Sequence, residues 1–251
     1  MVQLFRLVRA DFQKIKRSSL LWIHVLVPFF ISAAFVAYYS NSTVNAVSKI
    51  SGYFEVLSIG FPLIIGIVAG SAAEQEADAG NFQQLLTAEY KTAGFLSKIV
   101  MLFLLELFSL SIAAGVFAAG MKFSKVDNLI SAAIYGKIVL LLFSSMVFLY
   151  FLHVLCSLRF GSGASIGLGI GESLISALML TGLGDGIWKW IPCAFGVRFS
   201  YYYIGLNANT ANSAYIIEDF KSGIYTCTVM TIAIIIISVV FFHSFEGRNG
   251  D

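Results

Sequence analysis

Residues 5–39 read FRLVRADFQKIKRSSLLWIHVLVPFFISAAFVAYY. The first part holds Arg6, Arg9, Lys14, Lys16 and Arg17 against a single acid, Asp11. From 20 to 39 no Asp, Glu, Lys or Arg occurs. A spanning helix needs about 20 mainly apolar residues, and this window supplies them. It is as long as a span and lacks a clear cleavage site, so it does not read as a removed signal. Basic residues before an apolar span mark the cytoplasmic side. Within the leader, Phe5, Val8, Phe12 and Ile15 share one helical face. Residues 1–19 therefore predict an amphipathic helix in the membrane interface, its cations toward anionic lipid head groups.

The rest of the chain repeats the apolar pattern. Five further windows are long enough to span, at about 53–73, 95–119, 136–155, 162–183 and 224–243. The 251 residues are 58% hydrophobic and 12% charged, with a mean hydropathy of +0.85. An ordinary soluble domain is about 25% charged, so the composition predicts an all-α integral membrane protein of six spans in one domain. Six spans from a cytoplasmic start return the C-terminus to the cytoplasm. The net charge of +2 gives no ground for a nucleic-acid partner. Cys156, Cys193 and Cys227 stand apart, with no C-x-x-C. They predict free thiols rather than a zinc site or a disulfide frame.

Several patterns invite a chemical reading. Gly163, Ser165 and Gly167 fit the G-x-S-x-G of a nucleophile elbow. That motif needs a strand-to-helix turn and acid and histidine partners, whereas this one opens a spanning helix. Gly163, Gly167 and Gly171 recur every fourth residue, which predicts close helix packing through small residues. An intramembrane serine protease would use Ser165 with a histidine, and His153 lies across one short turn from it. No catalytic residue is assigned, since a histidine near a span end is more often an interfacial hydrogen-bonding group. No H-E-x-x-H and no Walker A pattern occurs, which excludes a zincin and nucleotide binding of the P-loop kind. No metal site is expected.

Glu106 and Glu172 interrupt spans. A charge at mid-membrane costs about 2.5–3.5 kcal/mol on insertion scales, so each must face a partner or a cavity. Lys137 and Arg159 are the nominal charge partners. A gate or substrate contact and a carboxyl that ties helices together both fit. Residues 184–223 form the long outer connection. Trp188, Trp190 and Tyr201 to Tyr203 suit an interfacial belt, predicting an extracellular re-entrant segment of short helices.

Between the second and third spans runs SAAEQEADAGNFQQLLTAEYK, residues 71–91. Glu74, Glu76 and Asp78 read as the first turn of a helix, where acids suit the positive dipole end. Phe82, Leu85 and Leu86 follow as an apolar stripe with nothing in the loop to bury it. Docking of a soluble partner and packing on the chain's own helices are both open.

These residues carry a resemblance. Glu76, Gly80, Asn81, Phe82, Leu85, Leu86 and the later Lys98 resemble the loop of ABC-2 type permeases, with Asn81 where that family has Thr. FQKIKRSSLLW (residues 12–22) is similar to the family's leading helix. Residues 157–200, SLRFGSGASIGLGIGESLISALMLTGLGDGIWKWIPCAFGVRFS, resemble the membrane subunits of lantibiotic immunity (self-protection) ABC transporters. The resemblance implies a type V exporter-like permease fold in the cell membrane. It implies that residues 71–94 are a coupling loop held in a cleft of a separate ATPase, with Glu74, Glu76, Asp78, Gly80, Phe82, Leu85 and Leu86 at the dock. ATP and magnesium would reside on that partner, present in two copies, and not on this chain. A second permease subunit and a lantibiotic substrate are implied as well. Export of another amphiphile, a lipid or a lipid-linked antibiotic, is the alternative. A receptor or scaffold without transport is a further one.

Overall fold

The computed structural model describes residues 2–16, 18–87, 91–124, 131–208 and 214–248, and all regular structure among them is helical. A backbone in hydrocarbon must satisfy its own hydrogen bonds, which is why each apolar window becomes a helix. A leading helix α1 (Val2–Ile15) is followed by α2 (Ser19–Ser40), α3 (Ala46–Asp78) and a single turn α4 (Gln83–Leu86). Then come α5 (Lys91–Phe123), α6 (Ala132–Phe160), α7 (Ser162–Leu180), α8 (Phe195–Asn207) and α9 (Ala214–Ser244). Six of these, α2, α3, α5, α6, α7 and α9, are long and apolar enough to cross a membrane.

The helices overrun the apolar windows. α3 begins seven residues before the expected span and ends five after it, at Ala46 and Asp78. Its start is capped by Asn45, whose side chain accepts the Ser48 amide at 2.9 Å, a favoured use of Asn at that position. A hydropathy window stops where charges begin, but a helix emerging from the bilayer keeps its own hydrogen bonds. α9 likewise begins ten residues before the expected 224. Residues 125–130 and 209–213, parts of two expected outer connections, lie outside the described residues.

α3 is the centre of the bundle. It packs against α7, α8 and α6, while α2 packs mainly on α5. Tyr53 of α3 stacks on Phe117 of α5, with centroids 3.8 Å apart, and its hydroxyl donates to the Ala113 carbonyl. Ser32 of α2 joins the same point through its contact with Tyr53 at 2.7 Å. Buried hydroxyls need such partners in a dry interior.

α3 packs closely on α7, and small residues make the contact. A Cβ at Gly66 would lie 2.7 Å from the Ser165 carbonyl oxygen, and one at Gly169 would lie 2.6 Å from that of Pro62. Here the glycine expectation needs correction. Gly163, Gly167 and Gly171 have no heavy atom within 4 Å of where a side chain would begin. They line the opposite side of α7. The packed side is carried by Ser162, Ser165 and Gly169, against Gly66 and Gly70. The packed stripe steps by three and then four residues, which keeps to one helical face as well as the four-residue glycine spacing does.

The connection after α7 also differs from the expected interfacial belt. From Thr181 the chain runs through three single 3-10 turns into α8, which is largely buried against α3 and α6. Trp188, Phe195, Phe199 and Tyr202 form a small core of their own with Cys227. Trp190 and Tyr201 are exposed, as a belt requires, but Trp188 and Tyr202 are not. Asp219 of α9 accepts from the Trp188 indole N–H at 2.8 Å and the Tyr202 hydroxyl at 2.9 Å, and it pairs with Lys189 at 3.1 Å. Burial, with Asp219 beside it, pushes the Tyr202 hydroxyl up to about 12. Arg198 ties the segment to the end of α7 through the Met179 and Thr181 carbonyls and Asp185.

Candidate functional site: the turn at 79–87 and the buried carboxylates

The acids expected in a first helical turn stand instead in the last turns of α3. There the helix dipole opposes them, so their stability comes from partners. Glu74 accepts two hydrogen bonds from Arg248, at 3.1 and 2.9 Å, and one from the Ser162 amide at 3.0 Å. That amide opens α7, so Glu74 serves the positive end of a neighbouring helix rather than its own. Hydrogen bonding to Glu74 raises the Arg248 guanidinium above its ordinary value. Glu76 is buried and accepts from Lys14 of α1 and Lys98 of α5, each at 2.8 Å. Asp11 completes a neutral set of two acids and two lysines, 3.8 Å from both lysine nitrogens and bonded to the Ser97 hydroxyl. This cluster fastens the amphipathic α1 to the bundle. Ile15 and Asp11 of α1 face inward, while Phe5 is exposed. Asp78 is exposed.

After Asp78 the chain reverses through Gly80, Asn81 and Phe82, all at positive φ (121°, 50° and 65°). Gly takes this region freely and Asn tolerates it. Phe82 does not, and its burial offsets the strain. Its ring is fully buried, packs edge-on against Phe245 at 5.5 Å, and lies under the Arg248 guanidinium at 5.8 Å. The Phe82 amide returns to the Glu76 carbonyl at 3.0 Å, closing the end of α3. The expected homeless stripe is therefore corrected. Phe82 and Leu85 belong to the main core, and Leu86 is half-buried against it. What the turn presents outward is Asp78, Ala79, Gly80, Asn81, Gln83 and Thr87. The C-terminal residues 245–248 brace the turn from within. Nothing local in the sequence marks Arg248 for this role.

Glu106 and Glu172 find neither Lys137 nor Arg159. The Tyr150 hydroxyl of α6 donates to Glu106 at 2.8 Å. Glu172 meets His153 Nε2 at 2.8 Å, and His153 Nδ1 lies 2.9 Å from the Ser165 hydroxyl. Ser165 also reaches the Gly66 carbonyl at 3.1 Å. The set resembles a catalytic triad in composition, yet a serine nucleophile is normally served by Nε2. Here Nδ1 faces the serine, and both Ser165 and His153 are wholly buried. The geometry ties α6, α7 and α3 together without offering a substrate the hydroxyl. Glu172 thus faces protein, as the expense of a lipid-facing acid requires.

Among the described residues no group of three or more His, Cys, Asp or Glu is placed to hold a metal ion. The three cysteines are free.

Neither the curated proteins nor the solved structures contain a match to this chain. Residues 7–177 match the family model described as ABC-2 family transporter protein. The matched part runs from α1 through the turn, the ion cluster and nearly all of α7, more than half of the sequence. The protein is a multi-pass membrane protein and belongs to the ABC-2 family of transporters.

Proposed function

We propose that this chain is a permease subunit of an ABC exporter that moves a lantibiotic or similar membrane-active peptide out of the bilayer and so protects the cell. Membership of the ABC-2 family implies a separate ABC ATPase. The observation that carries the coupling role is the braced turn at 79–87. A short segment with exposed polar atoms stands on buried Phe82 and Leu85, and ion pairs lock it to α1, α5 and the C-terminal residues. A push on such a turn is transmitted to α3, because interiors are close-packed and deform little. The dock then consists of Asp78, Asn81, Gln83 and Thr87, with Leu86 at its edge, while Glu74, Glu76, Gly80, Phe82 and Leu85 set its shape. Two ATPase copies, binding ATP and magnesium, would serve this chain and a second permease. Both termini would face the cytoplasm of a bacterial cell. α1 and residue 248 lie at the same end of the bundle as the turn, which supports a common side.

The peptide substrate rests on the resemblance of residues 157–200 to immunity permeases. Another amphiphile, such as a lipid or a lipid-linked antibiotic, fits the remaining features equally. Sensitivity tests separate the two. Cells carrying the ATPase and both permeases should survive higher lantibiotic doses than cells lacking this chain, and should return more peptide to the medium. Protection that persists with an ATPase dead in hydrolysis would point to sequestration. Export of another amphiphile with no protection would remove the immunity reading and keep the exporter.

A further inference from the structure

Between α2, α3 and α5 lies a cavity of about 80 Å3. Its wall is mainly apolar, with Ile23, Pro28, Leu57, Phe61 and Leu110 among the lining side chains. Two groups that demand polar company also line it, His24 and Glu106. His24 is 1% exposed. Its Nδ1 lies 2.7 Å from the Leu20 carbonyl, which only accepts, so Nδ1 carries the proton. Nε2 of the neutral ring is then an acceptor, and it is buried without a partner. Glu106 has one oxygen engaged by Tyr150. A carboxylate has about four acceptor positions, and among the described residues no basic side chain reaches this one. A buried acceptor left unpaired is costly, and the space is larger than the roughly 30 Å3 share of one water.

We propose that this cavity binds a primary ammonium carried on an apolar chain. Glu106 lines it with an oxygen that Tyr150 leaves free, and so asks for donors and for positive charge. An anion or a bare hydrocarbon would leave that oxygen unsatisfied. An ammonium has three donors and no acceptor, which suits it. The apolar wall takes the first carbons of the chain. Val56, on the cavity lining, is 48% exposed, so the tail leaves sideways toward the bilayer rather than through the protein. The inference deepens the export of an amphiphile, and rests on that reading only for the fate of the bound molecule. It gives Glu106 the role of a ligand-binding residue distinct from Glu172, which His153 already satisfies.

The test uses the full chain in lipid nanodiscs and a long-chain primary alkylamine bearing a diazirine near its nitrogen. Photolabelling should fall on α2, α3 and α5 around Ile23, Leu57 and Leu110. Unlabelled dodecylamine should compete about tenfold better than dodecyltrimethylammonium, which keeps the charge and loses the N–H donors. This comparison needs no mutant. Glu106→Gln keeps the side chain's shape and an acceptor for Tyr150, and should cut amine labelling about tenfold while sparing the alcohol of equal chain length. Ser109→Phe should fill the cavity and cut both. Labelling spread evenly over lipid-facing residues such as Ile236 and Ile237 would overturn the inference, as would equal competition by the two amines or an unchanged Glu106→Gln profile. ATPase recruitment measured on the same preparation keeps the two readings apart. Recruitment without amine labelling leaves the exporter and removes the cavity ligand, and amine labelling without recruitment does the reverse.

Discussion

Glu76 and Glu106 lie on adjoining helices and are buried to the same degree, yet they are used differently. Glu76 is held by two lysines, with Asp11 nearby to balance the charge. Glu106 has one tyrosine and an adjacent cavity. Burial alone therefore does not assign a role to a carboxylate. The partners do, since a charge neutralised inside the chain is structural and one left short of donors is available to a ligand. The two sites also differ in what they connect. Glu76 joins three helices beneath the turn, so its loss reaches the proposed dock. Glu106 joins α5 to α6 only.

The largest effect is expected at the ion cluster. Lys98→Met leaves Glu76 and Asp11 with Lys14, whose side chain is about one-third exposed. Removing one member of a buried charge set costs about 3–5 kcal/mol. Thermal unfolding in mild detergent should show a large drop. A loss below about 1 kcal/mol, the range of a solvated surface pair, would break the contrast with Glu106.

The two faces of α7 offer the next comparison. Gly66→Leu drives a side chain into the Ser165 backbone and should cost about 1–3 kcal/mol or more, as overpacking does. Gly167→Leu meets open space within this chain and should change the isolated protein by less than about 0.5 kcal/mol. Equal losses would mean that the packed face is misassigned. A small stability effect is likewise expected of Glu106→Gln, below about 1 kcal/mol, because Tyr150 keeps an acceptor. Circular dichroism melts of this variant beside Glu76→Gln sharpen the opening contrast. Glu76→Gln should lose far more.

Much of this was legible in the sequence, and the failures have physical causes. Apolar windows placed all six spans, because the bilayer admits little else. Their ends were misplaced where polar residues continue a helix beyond the hydrocarbon, as at Ala46 and Asp78. The acids at 74–78 were expected to start a helix because local dipole logic favours that. Lys14, Lys98 and Arg248 overrode it from 62, 22 and 174 positions away. Glycine spacing on α7 marked the face of Gly163, Gly167 and Gly171, whereas the partner helix chose the one with Ser165 and Gly169. The polar hint in Glu172 was sound, but its partner was the nearby His153 rather than the formal charge on Arg159. In an apolar interior a hydrogen bond suffices where surface intuition looks for an ion pair.

In the proposed exporter the turn at 79–87 meets the ATPase. A photoreactive amino acid at Gln83, exposed on the turn, can be compared with one at Trp190, exposed in the segment between α7 and α8. With an ABC ATPase from the same cell co-expressed, illumination should yield an ATPase adduct from position 83 and none from position 190. An adduct from 190, or none from 83 while the complex is intact, would contradict the account.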